Sequence, residues 1–218
     1  MTTNKSIMNL TRPEAAIERI LAHFPPSKPF LLGVGQTLNP NKPTINPSTS
    51  KTYFLLEGMM MCSLGSGESK QNFSLLKGPN ILNISENHAA IDYSLESVTP
   101  CLVDSVSFKD FRRVIAEENL WEDLYEILSK RTQMMAMRAM TSGQQSAYEI
   151  IRSYLIYMDI ESMYDLKQRF TVVKFMQTFT RVSRSMILKI LSELKTGNFI
   201  EIENGKLVRI CRTLPGKF

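Results

Sequence analysis

The chain has 218 residues, is 43% hydrophobic and 22% charged, and carries a net charge of +5, which suits two small domains or one large one with a real buried core. No stretch reaches the roughly 18 apolar residues of a membrane span, and the N-terminus lacks the apolar core of a signal peptide. Cys62, Cys101 and Cys211 are too few and too scattered for a disulfide framework, so a reducing cytoplasm is the expected location.

The first expected element is a helix opened by Thr11-Arg-Pro-Glu14, a capping box with proline near the start. It should run to about Phe24 with Ala15, Ile17, Ile20 and Leu21 inward, and Pro25-Pro26 should stop it. Residues 30–108 read as β structure: Phe30–Val34, Thr52–Leu64, Asn72–Leu76, Ile81–Ile84, Ile91–Leu95 and Pro100–Ser107, with Gly, Asn, Pro and Ser clusters between. Gln36–Lys51, rich in proline and asparagine, reads as a surface loop, and Gly65-Ser-Gly67 as a β-turn.

A short helix is expected over Phe108–Glu118 and a long one from Leu120 to about Thr141. The long helix carries Leu120, Leu124, Ile127, Leu128, Met134, Met135, Met137 and Met140. That is too much apolar surface for a lone helix, so it packs on its own β-domain, on a twin helix in a dimer, or on both. Ser142-Gly143 reads as a hinge, Ala147–Met158 as a helix, and Asp159–Asp165 as a linker. Val172 to about Thr178 is the next helix, with Met176 and Phe179 expected to pack on its successor.

That successor is the most informative segment. Ile187, Ile190, Leu191 and Leu194 share one face at helical spacing. Ser183 is a suitable N-cap, and Gly197-Asn198 a suitable stop, with the glycine in the left-handed conformation. Phe199–Ile202 and Leu207–Ile210 flank Asn204-Gly205, the preferred dipeptide of a tight hairpin turn. Two helices, a turn and a hairpin make a winged helix-turn-helix. The polar face of its second helix carries Arg184, Ser185, Lys189 and Ser192, cations and hydroxyls able to reach phosphates and base edges in a major groove. From Ile160 to Phe218 there are eleven Lys/Arg against five Asp/Glu, while the rest of the chain has fifteen against sixteen. A basic C-terminal third is the footprint of a DNA-binding module.

The order of helix, β-roll, long helix, hinge and winged helix resembles the Crp–Fnr superfamily of bacterial transcription regulators over nearly the whole chain. The resemblance is carried by Thr52-Tyr-Phe-Leu-Leu-Glu-Gly58, Leu76-Lys-Gly78, Ser107-Phe-Lys-Asp-Phe111, and Val182-Ser-Arg-Ser185 with Lys189. Within the superfamily, Thr180–Ser185 and Lys195–Glu201 are most similar to the enterobacterial type described as inhibitors of hydrogen peroxide resistance.

The resemblance implies an α+β fold: a cyclic-nucleotide-binding-like β-roll with its N-terminal helix over 1–118, a long dimerisation helix over 119–142, and a winged helix-turn-helix over 143–218. It also implies a homodimer on double-stranded DNA, joined through Leu120, Leu124, Ile127, Leu128, Met134 and Met135, with RNA polymerase as a further partner. Arg184 would take a guanine or phosphate, Ser185 would stand at a base-reading position, and Lys189 would read a base or hold phosphate. Arg181 and Lys206 would hold the backbone, with Ser183 beside them. Arg181 stands where the family often has a small residue, and Leu188 is larger than usual and within reach of a thymine methyl group.

The family's cyclic-nucleotide receptors carry a Gly-Glu pair and an Arg-Ser pair in the roll. Here Leu82-Asn83 stands at the Gly-Glu place, and no Lys or Arg occurs from Gly78 to Phe108, while Glu86, Asp92, Glu96 and Asp104 do. A buried phosphate without a cation is costly, so no cyclic nucleotide is expected. Three cysteines cannot hold the family's four-cysteine iron–sulfur cluster. His23 and His88 read as ordinary surface or core histidines rather than haem ligands, and Cys62 and Cys101 as small buried hydrophobes rather than a redox pair. The Met59–Met61 and Met134–Met140 runs read as packing. No cofactor, metal or enzyme signature is present. The expected function is therefore sequence-specific DNA-binding regulation, with a link to oxidative stress. The rivals are a protein-interaction module with weak, non-specific DNA binding and a sensor of an apolar ligand held in the roll.

Overall fold

The computed structural model describes residues 12–40, 50–65, 67, 70–84, 93–141, 146–159 and 164–216. The chain divides into two units, Met1–Ala136 and Met137–Phe218. The fold is α+β, with an N-terminal antiparallel roll and a C-terminal helix-turn-helix.

The first unit begins with α1 (Glu14–Ala22). Its cap residue is Pro13, which makes no side-chain capping bond; Thr11 of the expected capping box lies outside the described residues. Ile17 and Ile20 are buried and Leu21 half-buried as expected, but Ala15 is exposed and Ala16, one turn before Ile20 on the same face, is buried in its place.

The strands β1 (Phe30–Leu32), β2 (Thr37–Leu38), β3 (Lys51–Glu57), β4 (Met59–Leu64), β5 (Gln71–Lys77), β6 (Asn80–Leu82), β7 (Tyr93–Ser97) and β8 (Cys101–Ser107) form two four-stranded sheets. Their orders are β1-β8-β3-β6 and β2-β7-β4-β5, antiparallel throughout. The run expected as one strand over Thr52–Leu64 is thus two strands in different sheets. Gly58 makes the break: its φ is +95°, and a Cβ there would lie 2.4 Å from the Pro100 carbonyl oxygen and 2.8 Å from Cys101 Sγ. The β2 strand sits inside the expected Gln36–Lys51 loop; most of that loop, 41–49, lies outside the described residues, as does the Ile91 start expected for β7.

Between the sheets pack Leu55, Met60, Leu82, Leu95, Cys101 and Val103, with Tyr53, Cys62 and Tyr93 against them. A second cluster joins α1 and β3 to α2 (Phe108–Glu117) and α3 (Trp121–Thr141). In it Phe24 stands 5.0 Å from Phe54 and 5.6 Å from Phe111, ring to ring.

The second unit contains α4 (Ala147–Met158), α5 (Tyr164–Arg169), α6 (Val172–Phe179), α7 (Arg184–Thr196), β9 (Ile200–Glu203) and β10 (Lys206–Ile210). The expected linker over Asp159–Asp165 therefore runs into a short helix, α5, whose six residues give no periodicity to read. The core centres on Phe175, fully buried and 4.7 Å from the Phe179 ring and 5.9 Å from Tyr154. The expected hinge Ser142-Gly143 lies outside the described residues. No helix among the described residues is long and apolar enough to cross a membrane.

Candidate nucleic-acid interface

The interface is built on α6, the turn Thr180–Ser183, and α7. Thr171 caps α6 by accepting from the Lys174 N–H at 3.2 Å. Thr180 ends it: its hydroxyl donates to the Met176 carbonyl at 2.7 Å and accepts from the Val182 N–H at 3.3 Å. That turn aims α7 away from α6. Ser183 is the N-cap of α7, as its position predicted, and accepts from the Met186 N–H. Ile187, Ile190, Leu191 and Leu194 are all buried, so the opposite face of α7 is committed to solvent.

The wing closes on this pair. Asn204 and Gly205 both have positive φ, 49° and 78°, as a tight hairpin turn requires. The Val172 N–H donates to the Gly205 carbonyl at 2.8 Å, docking the hairpin tip on the start of α6. The helix stop differs from expectation. Asn198, not Gly197, takes the left-handed conformation (φ 53°), while Gly197 has φ −77°. Glycine is needed at 197 for a steric reason: a Cβ would lie 2.7 Å from the Phe199 ring.

Arg181, Ser183, Arg184, Ser185 and Lys189 are all exposed, and Lys206 on the wing is half-buried. Met186 and Leu188 add apolar exposure, 41% and 46%, between them. Gln177 on α6, which sequence reading passed over, accepts from Arg184 Nη1 at 3.2 Å. This contact crosses the helix-turn-helix and holds the guanidinium beside the N-terminal turn of α7. Arg209 on the wing is a further exposed cation, paired with Glu201 at 2.7 Å.

The long helix packs part of its apolar surface on its own unit, one of the arrangements its sequence left open. Leu120, Leu124 and Ile127 are buried in the first unit's own core, at 7%, 8% and 1% exposure. Leu128 and Met135 stay exposed, and the Met134, Met137 and Met140 side chains lie outside the described residues. Trp121 and Tyr125 are exposed as well, so Trp121, Tyr125, Leu128, Thr132 and Met135 form one exposed stripe at alternating spacings of four and three. That is the seam spacing of a coiled coil.

In the roll, Leu82 is buried in the packed interior, and Asn83 accepts from the Tyr93 hydroxyl at 3.1 Å. The apparent lack of a cation near this cassette is corrected by the fold. Arg131 comes in from α3, and its Nη2 donates to Asn80 Oδ1 at 2.8 Å and to the Ile81 carbonyl. Loss of water pulls the Arg131 pKa down to about 10; Arg12 adds to the effect, and Tyr93 and Cys62 oppose it. Cys62 and Cys101 are not joined in a disulfide, and Cys101 is fully buried with Sγ 3.1 Å from the Thr99 carbonyl oxygen. His23 is a surface side chain 3.6 Å from Glu118, while His88 lies outside the described residues. No group of three potential metal ligands occurs among the described residues.

Residues 147–216 match the family model for winged helix-turn-helix DNA binding, so this part of the chain is a winged helix-turn-helix domain of the DNA-binding kind. Solved structures of similar fold span most of the chain, among them a transcriptional regulator of the crp/fnr family from Eubacterium rectale, with a TM-score of 0.57 at 9% identity over 89% of this chain and 89% of that one. Over 91% of its length this chain superposes on all of the c-di-GMP-responsive global regulator CLP of Xanthomonas campestris, with a TM-score of 0.64 at 14% identity. Over 88% it superposes on 85% of CooA from Carboxydothermus hydrogenoformans, with a TM-score of 0.65 at 9% identity. In sequence, it is 29% identical over 173 residues to the inhibitor of hydrogen peroxide resistance of Salmonella typhimurium, covering 78% of this chain and 81% of that protein.

Proposed function

We propose that the chain is a homodimeric, sequence-specific DNA-binding transcription regulator of the cytoplasm. The observation that carries this reading is the exposed face of α7, where Arg184, Ser185, Leu188 and Lys189 stand together opposite a fully buried stripe, beside a wing bearing Lys206 and Arg209. Long cations and a hydroxyl on one helix face can bond phosphates and base edges at once. Arg184, braced by Gln177, takes the guanine or phosphate; Ser185 and Lys189 read or hold neighbouring positions; Arg181 and Lys206 hold the backbone. Ser183 contributes by capping α7 and by lying at its mouth.

Two copies pair through the exposed stripe of α3, from Trp121 to Met135, which places two recognition helices on a two-fold symmetric site. RNA polymerase is the further partner such a regulator would address. The relatives' name, inhibitor of hydrogen peroxide resistance, supports target genes that affect peroxide tolerance. No cyclic nucleotide is assigned, because Leu82 fills the roll interior where a nucleoside would need room.

Selection of bound duplexes from a random DNA pool tests the reading, run on the wild type and on the Arg184→Ala/Lys189→Ala variant. A two-fold symmetric motif lost in the variant is the expected result. No enriched motif from folded protein would favour the rival, a protein-interaction module whose basic unit binds DNA without sequence preference. Tyr125→Glu/Leu128→Glu should sediment as a monomer where the wild type sediments as a dimer.

A further inference from the structure

Two guanidinium groups meet at the turn between β5 and β6. Arg131 binds Asn80 and Ile81 through Nη2 alone, so its Nε and Nη1 have no protein partner among the described residues. Arg12 approaches the same turn from before α1, with Nη1 at 3.5 Å from the Gly78 carbonyl oxygen. Its Nε and Nη2 are buried and without a partner. Those two nitrogens form the side edge of the guanidinium, the fork that grips both oxygens of a carboxylate or phosphate. Among the described residues the carboxylate in ion-pair range of Arg12 is Glu14, 3.8 Å from Nη1 and itself mostly exposed; Glu18 acts on Arg12 from farther off, and neither bonds the Nε–Nη2 edge. Among the described residues no carboxylate stands within ion-pair distance of Arg131.

A structural clamp accounts for one nitrogen of Arg131 and one of Arg12. It does not account for the rest. A guanidinium edge buried without a partner, beside a second and desolvated cation, costs the fold energy unless a negative charge lies against it. We propose that the roll binds a small oxyanion, a phosphate or carboxylate group, through Arg12 and Arg131 beside the Gly78–Ile81 turn. The cations of this site come from outside the strand cassette, from the segment before α1 and from α3. An anion held there would tie α3 to the roll, so its binding would be felt by the helix that carries the exposed seam. The site is independent of the DNA reading and can fail or stand without it.

The test is thermal unfolding of the full chain, without DNA, in sodium phosphate, sodium succinate and sodium chloride at equal ionic strength and pH. Phosphate or succinate should raise the melting temperature by about 3 °C or more over chloride, and the two arms tell a phosphate site from a carboxylate site. Arg12→Gln should fold, melt in chloride no lower than the wild type, and lose the response; Arg131→Gln should also lose it. Arg184→Ala/Lys189→Ala should keep it. Equal melting temperatures in all three salts would overturn the site. So would a response that survives Arg12→Gln or disappears with Arg184→Ala/Lys189→Ala, the latter placing the anion on the DNA-facing helix.

Discussion

In the winged unit the cations stand in solvent: Arg181, Arg184 and Lys189 are exposed on or beside one helix whose other face is core. In the roll two cations point the other way. Arg12 and Arg131 are drawn toward a turn, and two Arg12 nitrogens are buried there without a partner. The first arrangement costs little without a ligand, since water solvates every charge. The second carries the cost of a buried, unpaired guanidinium edge. An exposed set of cations and a pair drawn against a turn thus differ in how much the fold must offset to hold them.

The largest effect should come from breaking the scaffold of the winged unit rather than its charges. Phe175 is fully buried among Tyr154, Phe170 and Phe179. Phe175→Ala should cost about 3–5 kcal/mol, read as a lower urea midpoint by far-UV circular dichroism. The unit's DNA binding should fall with its folded fraction, and a fully stable variant would mean that this ring cluster does not hold α6 in place.

Arg184→Ala should come next. It should lower specific affinity by about 1–3 kcal/mol and relax one position of the bound site, with stability unchanged because the side chain is exposed. Gln177→Ala removes only the 3.2 Å brace. It should relax the same position by a smaller factor, and an effect at a different position would show that Gln177 reads DNA itself. Selection and titration on both variants give the comparison.

The contrast between units also explains what the sequence made legible. The winged unit is written locally: Ser183, the Ile187–Leu194 stripe and Asn204-Gly205 each announce their structure within a few residues. Even there the local reading missed by one position, assigning the left-handed residue to Gly197 when Asn198 takes it and Phe199 explains the glycine. The roll is written across distance. The split at Gly58 depends on Pro100 and Cys101, forty residues on, and the two-residue β2 exists through its pairing with Glu96 and Leu95. Arg131 is the sharpest case. A window from Gly78 to Phe108 contains no cation, yet α3 delivers one to Asn80 from 51 residues away. The apolar count of the long helix likewise could not say which side faced inward; the roll claims Leu120, Leu124 and Ile127 and leaves the Trp121–Met135 seam.

Lys206→Ala should sharpen the distinction between reading and holding. A wing lysine that contacts phosphate weakens binding about equally on all sequences and lowers the salt slope of log K by about 1. The selected motif should be unchanged, and a changed motif would make Lys206 a base contact instead. The loss should be smaller than that of Arg184→Ala.

The smallest effect concerns a charge on the outside of the roll's unit. Asp110, in the first turn of α2, accepts from the Ser107 hydroxyl at 2.5 Å, and Ser107 in turn accepts from the Asp110 N–H at 3.0 Å. That bond to Ser107, with Arg113 beside it, holds the carboxyl below its ordinary range. A lowered folded value means stability that is present above the unfolded carboxylate pKa of about 3.9 and lost as pH falls through the lower folded value. Solvent reaches the whole group, so the contribution is slight. Asp110→Asn should leave the melting temperature at pH 7 nearly unchanged and flatten only the acid limb of a pH–stability curve. Arg12→Gln, measured on the same axis, removes a half-buried cation whose Nε and Nη2 are buried without a partner, and should not lower stability at pH 7. If the exposed Asp110 mattered more than the half-buried Arg12, the strain assigned to the unpaired Arg12 edge would be absent.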